Sequence, residues 1–218
     1  MIPRGATVTA VGAWLLLGAT TSGSAQGRST ALVPLDCPQI ALPLVPSLEC
    51  TYHCGTDRWG VKTLTDLDWR RVELRATPTT VQALGALPRP ARRPANRRTP
   101  EELRTYCVEA WLVGLRPQND GDLHAELVAI DDTSRTLLAE VPDARCGEVC
   151  TSTFASAFAR ARAAIEGRWA RDPAPRVRIR VTGVAFFDRR HGQRGAAPNL
   201  IELHPVLAVT FPDLVRTR

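Results

Sequence analysis

The sequence predicts a mainly β protein with one helix packed on it. Between residues 105 and 211 the hydrophobic patterns indicate three strands, then a helix, then two more strands. This is the element order of the five-stranded OB barrel, whose helix lies between the third and fourth strands. Residues 101–218 are therefore predicted to form an OB-like barrel domain. An unrelated α+β sheet with the same element order is the alternative.

The first three strands are separated by clear turn signals. An apolar, β-rich run covers residues 105–116, and Asp120-Gly121 after it supplies the positive φ angles of a tight hairpin. Residues 123–128 alternate between apolar and polar side chains, which is typical of a half-buried strand. The third strand, residues 135–141, is predicted to end before a proline.

The helix and the last two strands follow from periodicity. Ser152 is expected to cap the helix, and Gly167 followed by Pro173 to mark its end. Apolar residues recur along one helical face: Phe154, Phe158, Ala161, Ile165 and Trp169. Alternation predicts the fourth strand from residue 176 onward, and a Gly-rich loop at 188–199 leads to the fifth strand at 200–211.

The N-terminus has the three parts of a secretory signal peptide. Arg4 gives a basic lead, residues 11–17 are apolar, and Gly23-Ser24-Ala25 forms a small-residue exit. Residues 1–25 are therefore expected to be cleaved, which predicts a secreted or periplasmic protein. A permanent anchor is the weaker alternative, because the apolar run is shorter than a bilayer span requires.

Residues 26–100 are predicted to form an irregular, Pro-rich extension of the barrel. A strand candidate covers residues 71–75, a helix candidate covers 79–87, and a Pro- and Arg-rich linker covers 88–100. Three polar residues of this extension are expected in a solvated loop, with a functional site as the alternative: Lys62, Thr63 and Asp66.

Six cysteines follow the signal peptide: Cys37, Cys50, Cys54, Cys107, Cys146 and Cys150. An even count in an exported protein favours disulfides, although the sequence cannot choose the pairing. The Cys50/Cys54 and Cys146/Cys150 pairs, with equal spacing, either bridge locally or tie the extension onto the barrel. A zinc site around Cys50, His53 and Cys54 is the alternative.

The formal charge of +6 comes almost wholly from arginine, since Lys62 is the only lysine. Guanidinium groups suit phosphate recognition, but a GC-rich genome explains the bias more simply. The charge permits nucleic acid or another polyanion as a partner without indicating it. The phosphate-binding loop of nucleotide hydrolases, the dinucleotide fingerprint and the Gly-x-Ser-x-Gly elbow are all missing from the sequence.

Several segments resemble a family of exported bacterial proteins of uncharacterised activity. They include residues 58–63 (RWGVKT), 139–143 (AEVPD) and 182–188 (TGVAFFD). The resemblance covers the whole mature chain and implies export and domain extent. It implies no activity.

A second pattern covers residues 106–211. Asp120-Gly121-Asp122 follows the first strand, Arg135 precedes Glu140-Val141-Pro142-Asp143, and the last hairpin carries Arg189, Arg190 and Arg194. This pattern resembles the thermonuclease-like (staphylococcal-nuclease-like) OB barrels. Leu123 stands where that family has threonine, and Glu140 and Asp143 exchange its acid types.

The thermonuclease resemblance implies calcium-assisted phosphodiester hydrolysis. By position, Asp122 and Glu140 would bind the metal, and Asp143 would orient the attacking water. Arg135, together with Arg190 from the hairpin, would neutralise charge on the phosphate.

The histidines give a separate hypothesis. Glu202 and His204 share one face of the fifth strand by the period of two, and His191 lies in the Gly-rich loop. If that loop folds back, these residues and His124 form an acid/base or metal group. The alternative is that Glu202 and His204 hydrogen-bond loop backbone.

These observations predict an exported OB-fold protein directed at nucleic acid, with metal-assisted phosphodiester hydrolysis as its activity. Ca²⁺ is the cofactor that the resemblance implies. A non-catalytic exported binding or envelope interaction module is the alternative.

Overall fold

The computed structural model describes residues 35–41, 50, 54–55, 57–92, 95, 98–171 and 176–212. The predicted signal peptide, residues 1–25, lies outside this part. The strands are β1 (Glu73–Thr79), β2 (Arg104–Pro117), β3 (Leu123–Val128), β4 (Thr136–Val141), β5 (Val177–Phe187) and β6 (Ile201–Thr210). The helices are α1 (Trp59–Lys62), α2 (Val81–Gly85) and α3 (Ala155–Arg171), with 3-10 turns at Trp69–Arg71 and Glu101–Leu103.

Five of the strands close into a barrel. Their order is β2-β3-β4-β6-β5, and β5 pairs back onto β2. β4 and β6 are parallel, and the other four barrel pairs are antiparallel. Helix α3 lies between β4 and β5 in the sequence. The predicted OB-like fold is confirmed.

Strand β2 has two partners within the barrel because it is long and bent. Its 14 residues pair with β5 over 105–112 and with β3 over 111–117. The register shifts between Leu112 and Gly114. A Cβ at Gly114 would lie 3.0 Å from Oε2 of Glu126, so the missing side chain makes room for that carboxylate.

Helix α3 packs its apolar face against the barrel. Phe154, just before the helix, and Phe158, Ala161 and Ile165 within it are buried, as their spacing predicts. The helix continues past Gly167, so the predicted end there is wrong; the glycine is tolerated because a helix interior only weakly disfavours it. Among the described residues, no helix is long and apolar enough to cross a membrane.

The extension adds one strand and two short helices. β1 pairs in parallel with the edge of β2, and its start at Glu73 leaves Arg71 in a 3-10 turn rather than in the predicted strand. The predicted second helix is present but shorter, as Val81–Gly85. The Thr80 hydroxyl caps it by accepting a hydrogen bond from the Ala83 amide.

A buried ion pair holds the extension on the barrel, and a second one joins two parts of the extension to each other. Arg58 donates two hydrogen bonds of 2.7 Å to the Glu102 carboxylate, which also accepts from the backbone amide of Phe187. Arg98, from the predicted linker, pairs with Asp66. Asp66 is therefore anchored to the core, and the prediction of a solvated loop is wrong.

Three disulfides join the extension to the rest of the chain: Cys37 to Cys107, Cys50 to Cys150, and Cys54 to Cys146. The pairs with equal spacing thus tie the extension to the barrel instead of bridging locally. The zinc alternative is wrong for Cys50 and Cys54, because both thiols are consumed; His53 lies outside the described residues. Three disulfides indicate folding in an oxidising environment.

Candidate metal centre

Four polar side chains from three neighbouring strands meet at one end of the barrel. His124 of β3 and Glu140 of β4 are directly opposite each other in the antiparallel ladder. Glu202 of β6 is opposite Leu138 in the parallel β4–β6 pair. His204 follows two residues later and shares the face of Glu202. Strand register therefore brings together residues that are far apart in the sequence.

Asp122 joins this group from the hairpin before β3. The predicted tight turn is present, with Gly121 at φ 89° and the Asp122 amide bonded to Oδ1 of Asp120 at 3.3 Å. A Cβ on Gly121 would lie 2.9 Å from Sγ of Cys146. The turn is thus pressed against a disulfide, which fixes the fully buried Asp122 carboxylate.

The His204 imidazole lies at the centre of the cluster. Its Nδ1 is 2.8 Å from Oε2 of Glu140 and 3.2 Å from Oε1 of Glu202. Its Nε2 faces Oδ2 of Asp122 at 3.4 Å. Because a carboxylate engages Nδ1, the ring carries its proton on Nδ1. The lone pair of Nε2 is then available to a metal ion.

Glu140 is held from both sides by imidazoles. Oε1 lies 2.8 Å from Nε2 of His124, and Oε2 faces His204. Both contacts orient the carboxylate, whose side chain is almost fully buried. A carboxylate that grips a ligating histidine is a common second partner in metal sites.

Lys62, the last residue of α1, brings a positive charge to the cluster. Its Nζ lies 3.9 Å from Oδ2 of Asp122 and 4.0 Å from Oε2 of Glu140. The ammonium also lies 5.5 Å from the ring centroid of Phe186. The side chain is only 9% exposed, so the expectation that Lys62 lies in a solvated loop is wrong.

The cluster contains buried polar atoms that make no hydrogen bond within the described residues. They are both carboxylate oxygens of Asp122 and Nε2 of His204. Asp122, Glu140 and His204 each offer a ligand atom, and these atoms lie within 4.8 Å of one another. Ligand atoms about 2.1 Å from a tetrahedral zinc ion would be about 3.4 Å apart, which matches the separation of Asp122 and His204.

The chemistry of the donor atoms decides which metal fits. Calcium takes six or more oxygen ligands, whereas this set pairs carboxylates with an imidazole nitrogen. Imidazole with carboxylate suits zinc and other first-row divalent ions. The set offers three donor groups, which is the number of protein ligands in catalytic zinc sites that leave a fourth position open. The residues therefore fit a first-row divalent ion better than calcium.

Burial and the neighbouring charges set the protonation of the cluster. Burial raises the pKa of Asp122 and of Glu202 well above the usual value. Burial favours the neutral form of Glu140 too, but the hydrogen bonds and charges of the two imidazoles lower its pKa. Burial and the Lys62 charge lower the pKa of His204 and favour the neutral ring that a metal ligand requires.

Lys62 keeps its proton in this environment. Burial lowers the pKa of its ammonium, but the carboxylates of Glu202, Glu140, Asp122 and Asp188 together raise it above the usual value. The cluster thus holds one permanent cation among four acidic groups.

A cleft of about 850 Å³ opens onto this cluster. Lys62, His124 and Glu140 line it from the cluster side, and Trp59 forms part of the wall. The Trp59 Nε1 is buried without a hydrogen-bond acceptor among the described residues. The volume of the cleft is in the range of small-ligand sites.

An aspartate–histidine pair also lines the cleft. His191 Nε2 is 2.9 Å from Oδ2 of Asp188, which also accepts from the Gln193 amide. Asp188 is buried, whereas the His191 side chain is 44% exposed. His191 lines the cleft but pairs with Asp188, three residues before it, and not with Glu202 or His204.

The structure does not bring all the residues implied by the thermonuclease resemblance together. Asp122 and Glu140 lie in the cluster. Arg135 pairs with Asp132 at the other end of β4, because five residues along a strand span about 17 Å. Asp143 binds Arg145 at 2.7 Å and does not line the cleft.

The three hairpin arginines, one of which was expected to contact phosphate, lie in different places. Arg190 is exposed and lies outside the cleft, whereas its neighbour Arg189 lines it. Arg194 lies 3.7 Å from Glu126. Of the three hairpin arginines that the resemblance offers, Arg189 is the one that lines the cleft.

Two residues of this site were not recognised in the sequence. Lys62 lies in a four-residue helix, which is too short for a periodic pattern. The only lysine of an arginine-rich chain was nevertheless a usable signal. In the sequence, Asp188 only marked the start of a loop, and no pattern indicated its contact with His191.

No family model and no curated protein matches the sequence. The two family resemblances therefore rest on the residues quoted for them. The barrel itself is compatible with the OB-like part of the second resemblance. The site is best interpreted from its own geometry.

Proposed function

We propose that this chain is an exported hydrolase that cleaves phosphodiesters in nucleic acid with the help of a first-row divalent metal ion. The observation that carries the proposal is the pair formed by Asp122 and His204. Their facing atoms are buried, lie 3.4 Å apart and have no hydrogen-bond partner among the described residues. Groups of this kind are costly to bury unless a ligand satisfies them.

Asp122 and His204 would hold the ion directly, with Glu140 near enough to complete the set. A bound ion of this class polarises a phosphoryl oxygen and lowers the pKa of a bound water. Glu140 and Glu202 fix the His204 ring from its other nitrogen. This geometry pre-organises the ligands before substrate arrives.

The cleft offers groups for proton transfer and charge neutralisation. His191, oriented by the buried Asp188, is positioned to accept a proton from water or to return one to the leaving oxygen. Arg189 supplies a guanidinium for the non-bridging oxygens of phosphate. These groups replace Asp143 and Arg135 in the roles that the sequence suggested.

The substrate class follows from fold and cleft. OB barrels commonly bind oligonucleotides, and a volume of about 850 Å³ suits one or two nucleotides better than a duplex. Trp59, which forms part of the cleft wall, offers an aromatic surface to an unpaired base. Single-stranded DNA or RNA is the expected substrate. A secreted or periplasmic location agrees with the disulfides.

The test is hydrolysis by purified mature protein. Single-stranded DNA, RNA and bis(p-nitrophenyl) phosphate are incubated with the protein after chelation and after adding back Zn²⁺, Mn²⁺ or Ca²⁺. We expect cleavage that EDTA abolishes and that Zn²⁺ or Mn²⁺ restores better than Ca²⁺. Lack of cleavage of all three substrates under every metal condition would refute the proposal.

A non-catalytic exported binding module is the second candidate. Lys62 already neutralises part of the cluster, so the charge network is stable enough to serve as a rigid floor for ligand binding. In that case oligonucleotides or glycans bind in the cleft without turnover. Binding measured by fluorescence anisotropy, with no product after long incubation, separates this candidate from a hydrolase.

A further inference from the structure

We propose that Lys62 is an internal counter-cation that a divalent metal ion must displace, so that the lysine weakens metal binding and sets the threshold for loading the site. This inference rests on the proposed metal site. It concerns how the site is regulated, which the hydrolytic proposal leaves open.

The position of the ammonium group is the first argument. Nζ is 3.9 Å from Oδ2 of Asp122 and 4.0 Å from Oε2 of Glu140, the carboxylates that would hold the metal. Both distances are too long for hydrogen bonds, so the attraction is electrostatic. Lys62 thus supplies positive charge to this site without satisfying the lone pairs of Asp122.

The second argument is electrostatic exclusion. A divalent ion bound by Asp122 and His204 would lie within a few ångströms of the ammonium in a buried, weakly screened place. Two cations so close repel each other strongly, and the carboxylate charge that would attract the ion is already compensated. The ammonium and the metal therefore compete for the same negative groups.

The third argument is that Lys62 has somewhere to go. The residue lies at the boundary, contacting the cluster at one side and lining the cleft at the other. Its four-carbon stem is flexible, whereas α1 is anchored by the Arg58–Glu102 pair, so the side chain can turn without moving the backbone. In the cleft its charge would face the substrate phosphate.

The experiment is zinc titration of the full mature protein by isothermal calorimetry at low ionic strength. Lys62→Met removes the charge but retains the stem volume, and Lys62→Arg retains the charge as a matched control. We expect Lys62→Met to bind Zn²⁺ at least tenfold more tightly than the wild type, and Lys62→Arg to bind within about threefold of it. Asp122→Asn should abolish the tight site in each background.

Zinc affinity of Lys62→Met equal to or weaker than that of the wild type would overturn the inference. Circular dichroism checks that the variant folds. If Lys62→Met does not fold, Lys62→Gln is titrated with the same criterion. Tight zinc binding by Lys62→Met without cleavage of any phosphodiester refutes the hydrolase and leaves the competition intact. Cleavage of a phosphodiester together with an unchanged zinc affinity of Lys62→Met refutes the competition and leaves the hydrolase proposal intact.

Discussion

Nε2 of His204 and Oδ2 of Asp122 face each other at 3.4 Å inside one end of the barrel, and among the described residues neither atom has a hydrogen-bond partner. The two residues come from the fifth barrel strand and from the first hairpin, and the pairing of β3 with β4 and of β4 with β6 brings them together. A protein that needed only stability would satisfy or replace such groups. These two buried atoms without a hydrogen-bond partner are the observation on which the proposed cation site rests.

Removal of the metal ligands should abolish activity without unfolding the protein. Asp122→Asn and Glu140→Gln are each expected to lower kcat/KM by about 100-fold or more, because ligand charge and ligand orientation are lost. Steady-state hydrolysis of bis(p-nitrophenyl) phosphate measures the effect. Arg135→Ala is the control and should keep activity within about twofold. Loss of activity in Arg135→Ala would support the role in phosphate binding that the thermonuclease resemblance implies for Arg135.

The aspartate–histidine pair of the cleft should act in proton transfer. His191→Asn is expected to lower kcat by about 10²- to 10⁴-fold, and Asp188→Asn should lower it less, since Asp188 only orients the ring. The pH–rate profile should lose one limb in His191→Asn. Arg190→Ala, which alters an exposed neighbour outside the cleft, should leave the profile unchanged. An intact limb in His191→Asn would remove the residue from the mechanism.

The turn that carries Asp122 should tolerate no side chain at Gly121. Gly121→Ala combines a φ of 89° with a Cβ 2.9 Å from Sγ of Cys146. We expect a loss of about 2–4 kcal/mol in urea unfolding, from strain plus overpacking. Gly192→Ala has a φ of 84° but open space around the Cβ, so it should cost only about 1–2 kcal/mol. Equal losses would mean that the disulfide contact is unimportant.

The Cys54–Cys146 disulfide should matter for activity as well as stability. The Cys54–Cys146 and Cys37–Cys107 disulfides close loops of similar size, with sequence separations of 92 and 70, and each is removed in a double serine variant. Each variant should lose about 2–5 kcal/mol of unfolding free energy. Only the first variant should also lose hydrolysis under conditions where it is folded, because this disulfide packs on the turn of Asp122. Equal activity in both would contradict that link.

Glu202 should make stability fall as pH rises. Burial raises its pKa, so the folded protein keeps this proton at pH values where the unfolded chain has lost it. The free energy of unfolding therefore decreases above about pH 4.3 until the raised pKa is passed. Glu202→Gln removes this decrease, so the variant should melt at a higher temperature than wild type at pH 7.5 and at a similar temperature at pH 4. A lower melting temperature of the variant at pH 7.5 would count against a protonated Glu202.

The sequence predicted the barrel well because strands and helix each carry a strong periodic signal. The spacing of Phe154, Phe158 and Ile165 correctly predicted the buried face of the helix. The alternation in residues 123–128 predicted a half-buried strand, whereas five of its six residues are buried. The end of α3 was missed at Gly167, since one glycine cannot stop a helix whose next turn is still packed. The short helix of Lys62 gave no periodic signal at all.

The site was only partly predictable, because proximity depends on register across the barrel. Asp122, Glu140, His124, Glu202 and His204 were all named from the sequence, but as members of two separate hypotheses. The pairing of β3, β4 and β6 brings them together in one cluster. Arg135 lies outside the cluster for a different reason. Its spacing from Glu140 matches the thermonuclease pattern, but five residues along β4 hold the two side chains apart.

Anomalous diffraction from zinc-soaked crystals is the most direct test of the central claim. We predict a single strong anomalous peak inside the barrel end, about 2.0–2.2 Å from Oδ2 of Asp122 and from Nε2 of His204. The peak should vanish in Asp122→Asn crystals. Zinc found only at surface histidines, with the cluster unchanged and Lys62 still beside Asp122 and Glu140, would contradict a metal centre at this site.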